Sequence, residues 1–149
     1  RAGITIARVL CKQANLKLIG IESLKILSKI NKDKDKSIII LDARKNKVYL
    51  AEYDMTGKCI IAPKLEDKEN IEQYIKSNSK IITDKAIGDY LKSKGINTVI
   101  YEENDKDFGI YLSEICYDKL KDVSDDYNWA KVKPLYIQQP SITKPKELK

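Results

Sequence analysis

The chain of 149 residues is long enough for one domain of ordinary size, and a hydrophobic fraction of 42% with a charged fraction of 34% is typical of a soluble globular protein. It has no histidine, which excludes His-based nucleophilic catalysis and His-ligated zinc in this segment. The net charge of +6 comes almost entirely from lysine, which attracts phosphate diffusely and is weak evidence of a nucleic-acid site. Three widely spaced cysteines without a CxxC motif predict reduced, buried thiols in a cytoplasmic protein, and no apolar run is long enough to cross a membrane.

The N-terminal part of the chain carries two helical patterns joined by a short apolar stretch. Residues 3–14 place apolar side chains at helical spacing, residues 16–20 are predicted to form a short strand, and residues 22–30 are predicted to form a second helix. The charged run NKDKDK at 31–36 predicts a solvated connection between two structural units. Because Arg1 leads directly into a helix without a starting Met, we expect the N-terminus to be cut from a longer protein.

From residue 37 onward the pattern changes to β-β-β-α-β-α-β-α. Three strands are predicted first, at residues 37–43, 47–54 and 58–63. The remaining elements are a helix at 67–78, a strand at 80–83, a helix at 86–95, a strand at 97–101 and a helix at 107–122. An antiparallel three-strand meander extended by parallel strands through helical crossovers is the ribonuclease H-like order. We therefore predict an α/β lobe of the ribonuclease H-like class, with a mixed β-sheet and flanking helices.

The predicted fold class makes a metal-dependent nuclease the first enzyme to consider, because such enzymes hold two metal ions with carboxylates at strand ends. Asp42 ends the first predicted strand, Asp84 follows the fourth, and Glu52 is a candidate third acid. Both aspartates also suit structural roles, Asp42 in a hairpin turn and Asp84 at a helix N-terminus. We interpret Asp42, Arg44 and Asn46 as architectural residues of the hairpin. No catalytic or metal-binding constellation emerges, and the nuclease using Asp42 and Asp84 stays open as the alternative.

Other local patterns carry little chemistry. TGK at 56–58 and IGD at 87–89 match neither a Walker nor a dinucleotide motif, which argues against a sugar kinase or ATPase lobe. Gly88 lies inside a predicted helix, where it indicates close packing. Aromatic side chains near the C-terminus can stack on bases, but we expect them to attach the tail to the core. These are Tyr127, Trp129 and Tyr136.

Three stretches, in this order, resemble the bacterial TsaB (YeaZ) family: RAGITIARVLCKQANLKLIGIESLKIL, IIILDARKNKVYLAEYD and PLYIQQP. Proteins of this family are two-lobed members of the actin-like ATPase superfamily, and each lobe is ribonuclease H-like. The resemblance implies that residues 1–36 are the C-terminal part of the first lobe. It further implies that residues 37–140 are the whole second lobe and residues 141–149 a flexible basic tail.

The resemblance also implies a function that no motif in the chain shows. TsaB proteins are non-catalytic partners that support the enzyme TsaD in attaching threonylcarbamoyl to adenosine 37 of tRNAs that read ANN codons. We therefore expect a heterodimer with TsaD, an association with TsaE, a homodimer as the alternative assembly, and contact with tRNA only through the complex. No cofactor of its own is expected, since ATP or ADP and a metal belong to the complex as a whole.

The first helix is the predicted partner interface. In the family, helices of the first lobe bundle against matching helices of TsaD or of a second TsaB. Helical spacing puts four apolar residues on the side predicted to pack inside the protein: Ile6, Val9, Leu10 and Ala14. The other side is the predicted interface, which consists of Arg1, Ile4, Ala7, Arg8 and Cys11.

Overall fold

The computed structural model describes residues 2–31, 36–75, 79–102, 107–122 and 127–137. Its helices are α1 Ala2–Ala14, α2 Ser23–Ser28, α3 Glu72–Ile75, α4 Lys85–Ser93 and α5 Phe108–Leu120. Its strands are β1 Ser37–Arg44, β2 Lys47–Tyr53, β3 Cys59–Asp67, β4 Lys80–Thr83 and β5 Val99–Ile100. Two 3-10 turns lie at Lys68–Asn70 and Trp129–Lys131. The predicted β-β-β-α-β-α-β-α order after the first two helices is confirmed.

The five strands form one mixed sheet in the order β3-β2-β1-β4-β5. β1 pairs antiparallel with β2 and β2 antiparallel with β3, whereas β4 runs parallel to β1 and β5 parallel to β4. β1 is the central strand, and Ile38, Ile39 and Ile40 are fully buried because both faces of the sheet are covered. This arrangement confirms the predicted ribonuclease H-like class.

Each face of the sheet has its own hydrophobic core, because successive side chains of a strand point to opposite faces. The core under α3 and α4 consists of Ile38, Ile40, Val48, Leu50, Ile71, Ile81, Ile87 and Leu91. The core under α2 consists of Leu24, Leu27, Ile39, Ala51, Tyr53 and Ile82. α5 packs on α2 through Ile26, Tyr111 and Ile115.

Gly88 lets α4 approach the sheet closely. A Cβ atom added at this position would lie 2.8 Å from Cγ1 of Ile100 and 3.0 Å from Oγ1 of Thr83. Any larger residue would therefore push α4 away from β4 and β5. The predicted close packing at Gly88 is confirmed.

Two predictions near the surface are wrong. Residues 16–20 do not form a strand; they are extended, and the N–H of Leu18 donates to the carbonyl of Tyr127 at 3.0 Å. Short apolar runs of this kind do not reveal from sequence whether a pairing strand is available. The helical pattern at 107–122 predicts that Leu120 faces inward, but its side chain is 49% exposed at the end of α5.

The boundaries of the third strand and the following helix also differ from the prediction. β3 does not end at Pro63, because the pairing register between β2 and β3 shifts there and a β-bulge in an edge strand tolerates proline. The predicted helix at 67–78 is a 3-10 turn followed by the single turn of α3. Residues 76–78 lie outside the described residues.

The predicted division of the chain at residue 36 stays a prediction, because residues 32–35 lie outside the described ranges. α2 precedes that boundary and packs on the sheet through Leu24 and Leu27. The tail predicted to be flexible, residues 141–149, is also outside the described part of the chain.

Candidate functional site

α1 lies against the C-terminal segment, residues 127–137, rather than against the sheet. None of its described residues is buried, and its main contacts are with the 3-10 turn at Trp129–Lys131. Asn15 ends the helix in the left-handed conformation, with φ of 52°, and the N–H of Leu16 donates to the carbonyl of Cys11 at 2.8 Å. α1 and the C-terminal segment are therefore held together by contacts with each other.

The two sides of α1 are exchanged relative to the prediction. Ile6, Val9 and Leu10 are exposed, at 59%, 52% and 62%, although they were predicted to pack inside. The described residues of the predicted interface are instead half-buried on the side of the C-terminal segment: Ile4, Ala7, Arg8 and Cys11. Helical spacing shows which residues share a face but not which face another segment covers. Arg1 lies outside the described residues, and partner binding by this set stays a prediction.

A groove of about 790 Å³ is lined by residues of α1, α5 and the C-terminal segment. Its lining is mainly apolar with lysines at the edge, and includes Ile4, Ala7, Ile26, Leu112, Lys119 and Val132. Gly20 forms part of its floor, where an added Cβ would lie 3.1 Å from Cγ1 of Val132. The C-terminal segment thus passes directly over the extended chain between α1 and α2.

Tyr127 anchors the C-terminal segment. Its side chain is buried, its hydroxyl donates to the carbonyl of Lys119, and its backbone has a positive φ of 45°, which is uncommon for an aromatic residue. Trp129 is half-buried, whereas Tyr136 is exposed. The predicted anchoring role is therefore confirmed for Tyr127 and Trp129 and stays a prediction for Tyr136, which is exposed.

Basic side chains of α1 lie over the aromatic rings of the C-terminal segment. The guanidinium of Arg8 is 5.8 Å and the ammonium of Lys12 is 5.5 Å from the centroid of the Trp129 ring, distances typical of cation–π contacts. Lys17 lies 5.9 Å from the Tyr127 ring. In the sequence, the i, i+4 spacing of Arg8 and Lys12 shows that the two cations share one side of the helix. Their aromatic partner Trp129 is more than a hundred residues away, so the contact itself could not be predicted.

The carboxylates considered for a nuclease hold backbone groups. Oδ1 of Asp84 accepts the N–H of Ile87 at 2.9 Å, which caps α4, and Oδ2 accepts the N–H of Asp42 at 2.6 Å. Oδ1 of Asp42 accepts the N–H of Arg44 at 3.3 Å. Glu52 pairs across the sheet with Ile38, about 13 Å along the strand from Asp42, so the predicted third acid is not at this edge. In the described part of the chain, no group of three His, Cys, Asp or Glu side chains could hold a metal ion.

The first hairpin is fixed by its turn. Arg44, Lys45 and Asn46 all have positive φ, and the side-chain amide of Asn46 donates to Glu69 at 3.3 Å. The carbonyl of Asn46 also accepts the N–H of Lys68 at 2.9 Å, so the turn is tied to the chain that follows β3. These contacts give the hairpin residues a structural part in the sheet.

A polar cluster on β3 was missed in the sequence. The hydroxyl of Tyr74 donates to Oε2 of Glu66 at 2.7 Å and accepts from Nζ of Lys64 at 2.6 Å. The Tyr74 hydroxyl is the main cause that lowers the pKa of Glu66 to about 2, followed by the N–H of Asp67 and the side chains of Asn70 and Lys64. The cluster links β3 to α3 and has no sequence signature, since its members combine a strand, a turn and a helix.

The three cysteines are free, and the prediction that they are buried is wrong for Cys59, which is exposed on β3. Cys11 and Cys116 are half-buried. No helix within the described residues is both long enough and apolar enough to cross a membrane.

Comparison with known proteins places this fold in a family. A family model described as TsaD, tRNA N6-adenosine threonylcarbamoyltransferase, matches residues 1–137. No curated protein matches the chain. A solved structure of an uncharacterized protein with similarity to peptidase YEAZ from Pseudomonas aeruginosa is 13% identical, with a TM-score of 0.61, covering 91% of this chain and 66% of that one. YeaZ from Pseudomonas aeruginosa is also 13% identical, with a TM-score of 0.54, covering 79% of this chain and 60% of that one. The chain thus spans less than two thirds of the length of these two structures and shares their fold.

Proposed function

This chain belongs to the TsaD family of tRNA N6-adenosine threonylcarbamoyltransferases, and from that membership we propose that it is a non-catalytic partner of TsaD. Its YeaZ-like fold agrees with the TsaB (YeaZ) resemblance of its sequence. In the proposal, the protein supports TsaD in threonylcarbamoylation of adenosine 37 of tRNAs that read ANN codons. It acts in the cytoplasm, where that substrate is found.

The observation that carries the proposal is the exposed apolar stripe of α1, which we define as Ile6, Val9 and Leu10. Three large aliphatic side chains on one helical face are typical of a surface that another helix covers. Complete burial of one such side chain from full exposure contributes about 1.5–3 kcal/mol, so covering the exposed parts of these three side chains favours docking. We propose that a helix of TsaD binds this stripe and that a second copy of the protein binds it when TsaD is absent.

The residue types of the chain favour a non-catalytic role in which the protein assists TsaD. The sequence contains no histidine, and Asp42 and Asp84 both bind backbone N–H groups. We place ATP or ADP and the metal with TsaD and TsaE in the assembled complex. The nuclease alternative is less well supported: Asp42 and Asp84 lie close together, but both bind backbone N–H groups and Glu52 lies away from them.

The proposal is tested by mixing the full-length protein with TsaD from the same organism and measuring the mass of the complex by size-exclusion chromatography with light scattering. A stoichiometric heterodimer at micromolar concentrations is the expected result. Two separate peaks would contradict the proposed partnership.

The interface is tested by Leu10→Asp, which places a charge in the centre of the stripe. We expect the Kd for TsaD to rise at least about tenfold, because an affinity loss of about 1.4 kcal/mol already has that effect. Ile110→Asp is the matched control, since Ile110 is an equally exposed aliphatic residue on α5. Equal Kd values for both variants and the wild type would exclude the stripe as the interface.

A further inference from the structure

The positive charge of the chain is concentrated on one side of the molecule. Within the described residues 2–31, 118–122 and 127–137, nine basic side chains accompany three acidic ones. The basic residues are Arg8, Lys12, Lys17, Lys25, Lys29, Lys119, Lys121, Lys131 and Lys133, and the acidic ones are Glu22, Asp118 and Asp122. In the described remainder, which forms the sheet and α3, α4 and most of α5, acidic and basic residues nearly balance. We call the nine basic residues, with Trp129 and Tyr136, the basic–aromatic surface.

Shared residues join the parts of this surface. A second cavity of about 320 Å³ lies beside the groove, and Lys25 and Lys29 line it. Lys119 and Tyr127 line both cavities, whereas Lys131 and Lys133 line the groove. The basic side chains of α2, α5 and the C-terminal segment therefore line adjoining cavities. Arg8 and Lys12 of α1 lie over Trp129, two residues before Lys131.

The acidic residues of the surface are outnumbered three to nine by its basic residues, and Glu22 and Asp118 have hydrogen-bond partners. Oε2 of Glu22 accepts the hydroxyl of Tyr53 at 3.1 Å, and burial together with this carboxylate raises the pKa of Tyr53. Asp118 accepts from Nζ of Lys121 at 2.9 Å. The other lysines are thus left to dominate the field that a polyanion would meet.

We propose that the basic–aromatic surface binds tRNA directly, through its phosphates and through bases that stack beside the aromatic rings. This inference rests on the proposed function for the identity of the RNA. Lysines supply mobile positive charges suited to phosphates, and aromatic rings flanked by cations suit exposed bases. An acidic protein segment, the alternative polyanion, would pair with the lysines but would have no bases to stack on Trp129 and the exposed Tyr136.

The geometry allows partner and RNA to bind at once. Ile6, Val9 and Leu10 point away from the C-terminal segment, whereas Arg8 and Lys12 lie over Trp129. One helix therefore presents an apolar stripe on one side and part of the basic–aromatic surface on another. The protein would extend the RNA-binding surface of a complex with TsaD, which goes beyond the expectation that it meets tRNA only through that complex.

The test measures binding of fluorescently labelled tRNA to the full-length protein by anisotropy, at several salt concentrations. The test variant replaces three exposed lysines of the surface, as Lys12→Glu, Lys131→Glu and Lys133→Glu together. The control variant makes the same change of charge on exposed lysines of the sheet side, as Lys45→Glu, Lys85→Glu and Lys92→Glu. We expect at least a tenfold rise in Kd for the test variant and less than about a threefold rise for the control. The slope of log K against log salt should fall by about two in the test variant, since each lost phosphate contact removes about 0.7–0.9.

Three results would overturn the inference: no binding of tRNA by the wild type at low salt, an equal loss in both variants, or competition by poly-glutamate as strong as by unlabelled tRNA. Complex formation with TsaD is measured in parallel for the same proteins. Variants that join TsaD normally and bind tRNA like the wild type would remove this inference while leaving the proposed function intact. A wild type that binds tRNA but not TsaD would contradict the proposed function alone.

Discussion

The sheet and the pair formed by α1 and the C-terminal segment are built on different principles. In the sheet, Ile38, Ile39 and Ile40 are fully buried, and among the described residues no buried side-chain nitrogen or oxygen lacks a hydrogen-bond partner. In α1, no described residue is buried, and its outer face is apolar. Stability is thus concentrated in the first region, while the second keeps apolar and basic side chains at the surface. The comparison suggests that substitutions in the two regions will affect different measurements.

The prediction with the largest expected effect compares how much the two regions contribute to the free energy of unfolding. Leu50→Ala removes a fully buried side chain from the core under α4, and we expect the free energy of unfolding to fall by about 2–5 kcal/mol. Leu10→Ala makes the same chemical change on exposed α1 and should cost less than about 0.5 kcal/mol. Urea denaturation followed by circular dichroism measures both. Similar losses for the two variants would mean that α1 is part of the stabilising core.

A second pair of substitutions compares the close packing of α4 on the sheet with the open surroundings of Gly3 in α1. Gly88→Ala forces a methyl group against Ile100 and Thr83, and we expect a loss of about 1–3 kcal/mol. Gly3→Ala in α1 meets no atom within 4 Å, and the higher helix propensity of alanine should make it neutral or stabilising by up to about 1 kcal/mol. Thermal and urea unfolding of both variants check this. A neutral Gly88→Ala would show that α4 can shift without cost.

The smallest expected effect concerns acid stability of the sheet region. The pKa of Glu66 is lowered to about 2 from its ordinary 4.5, so the folded state binds its proton more weakly than the unfolded state does. Its stabilising contribution, about 0.5–1 kcal/mol for a partly exposed pair, is present above pH 4.5 and is lost as the pH falls toward 2. Glu66→Gln should therefore lose less stability between pH 5 and 2 than the wild type, as measured by urea unfolding at each pH.

The control for this prediction is Asp118→Asn, because Asp118 and its partner Lys121 are both well exposed. Its stability should follow the pH dependence of the wild type. If both variants reduce the loss of stability at low pH by the same amount, the hydrogen bonds around Tyr74 make no specific contribution to acid stability.

Most of the sheet could be predicted because its information is local. The apolar run that ends at Leu41, the turn at Lys45 and Asn46, and the helical spacing before Gly95 each act over a few residues. The errors occur where a distant segment decides the outcome. The stretch from residue 16 to 20 lies next to Tyr127 and finds no adjacent strand to pair with, so its apolar character did not make it a strand.

The candidate site was predictable only in its location. Apolar spacing identified two sides of α1, but the C-terminal segment decides which side is covered, and that contact joins residues more than a hundred positions apart. The basic–aromatic surface is likewise assembled from both ends of the described chain. Net charge indicated an excess of lysine, yet its concentration on one side required the fold.

Trp129 gives the pair formed by α1 and the C-terminal segment its own spectroscopic signal. It is the sole tryptophan in the sequence, and the cations of Arg8 and Lys12 lie beside its ring. Emission excited at the red edge of the protein absorption therefore comes from this contact and not from the sheet, whose strands contain tyrosine as their only aromatic residue. A change in that emission follows the movement of α1 while the far-ultraviolet signal of the sheet stays constant, so the two regions can be observed separately in one unlabelled sample.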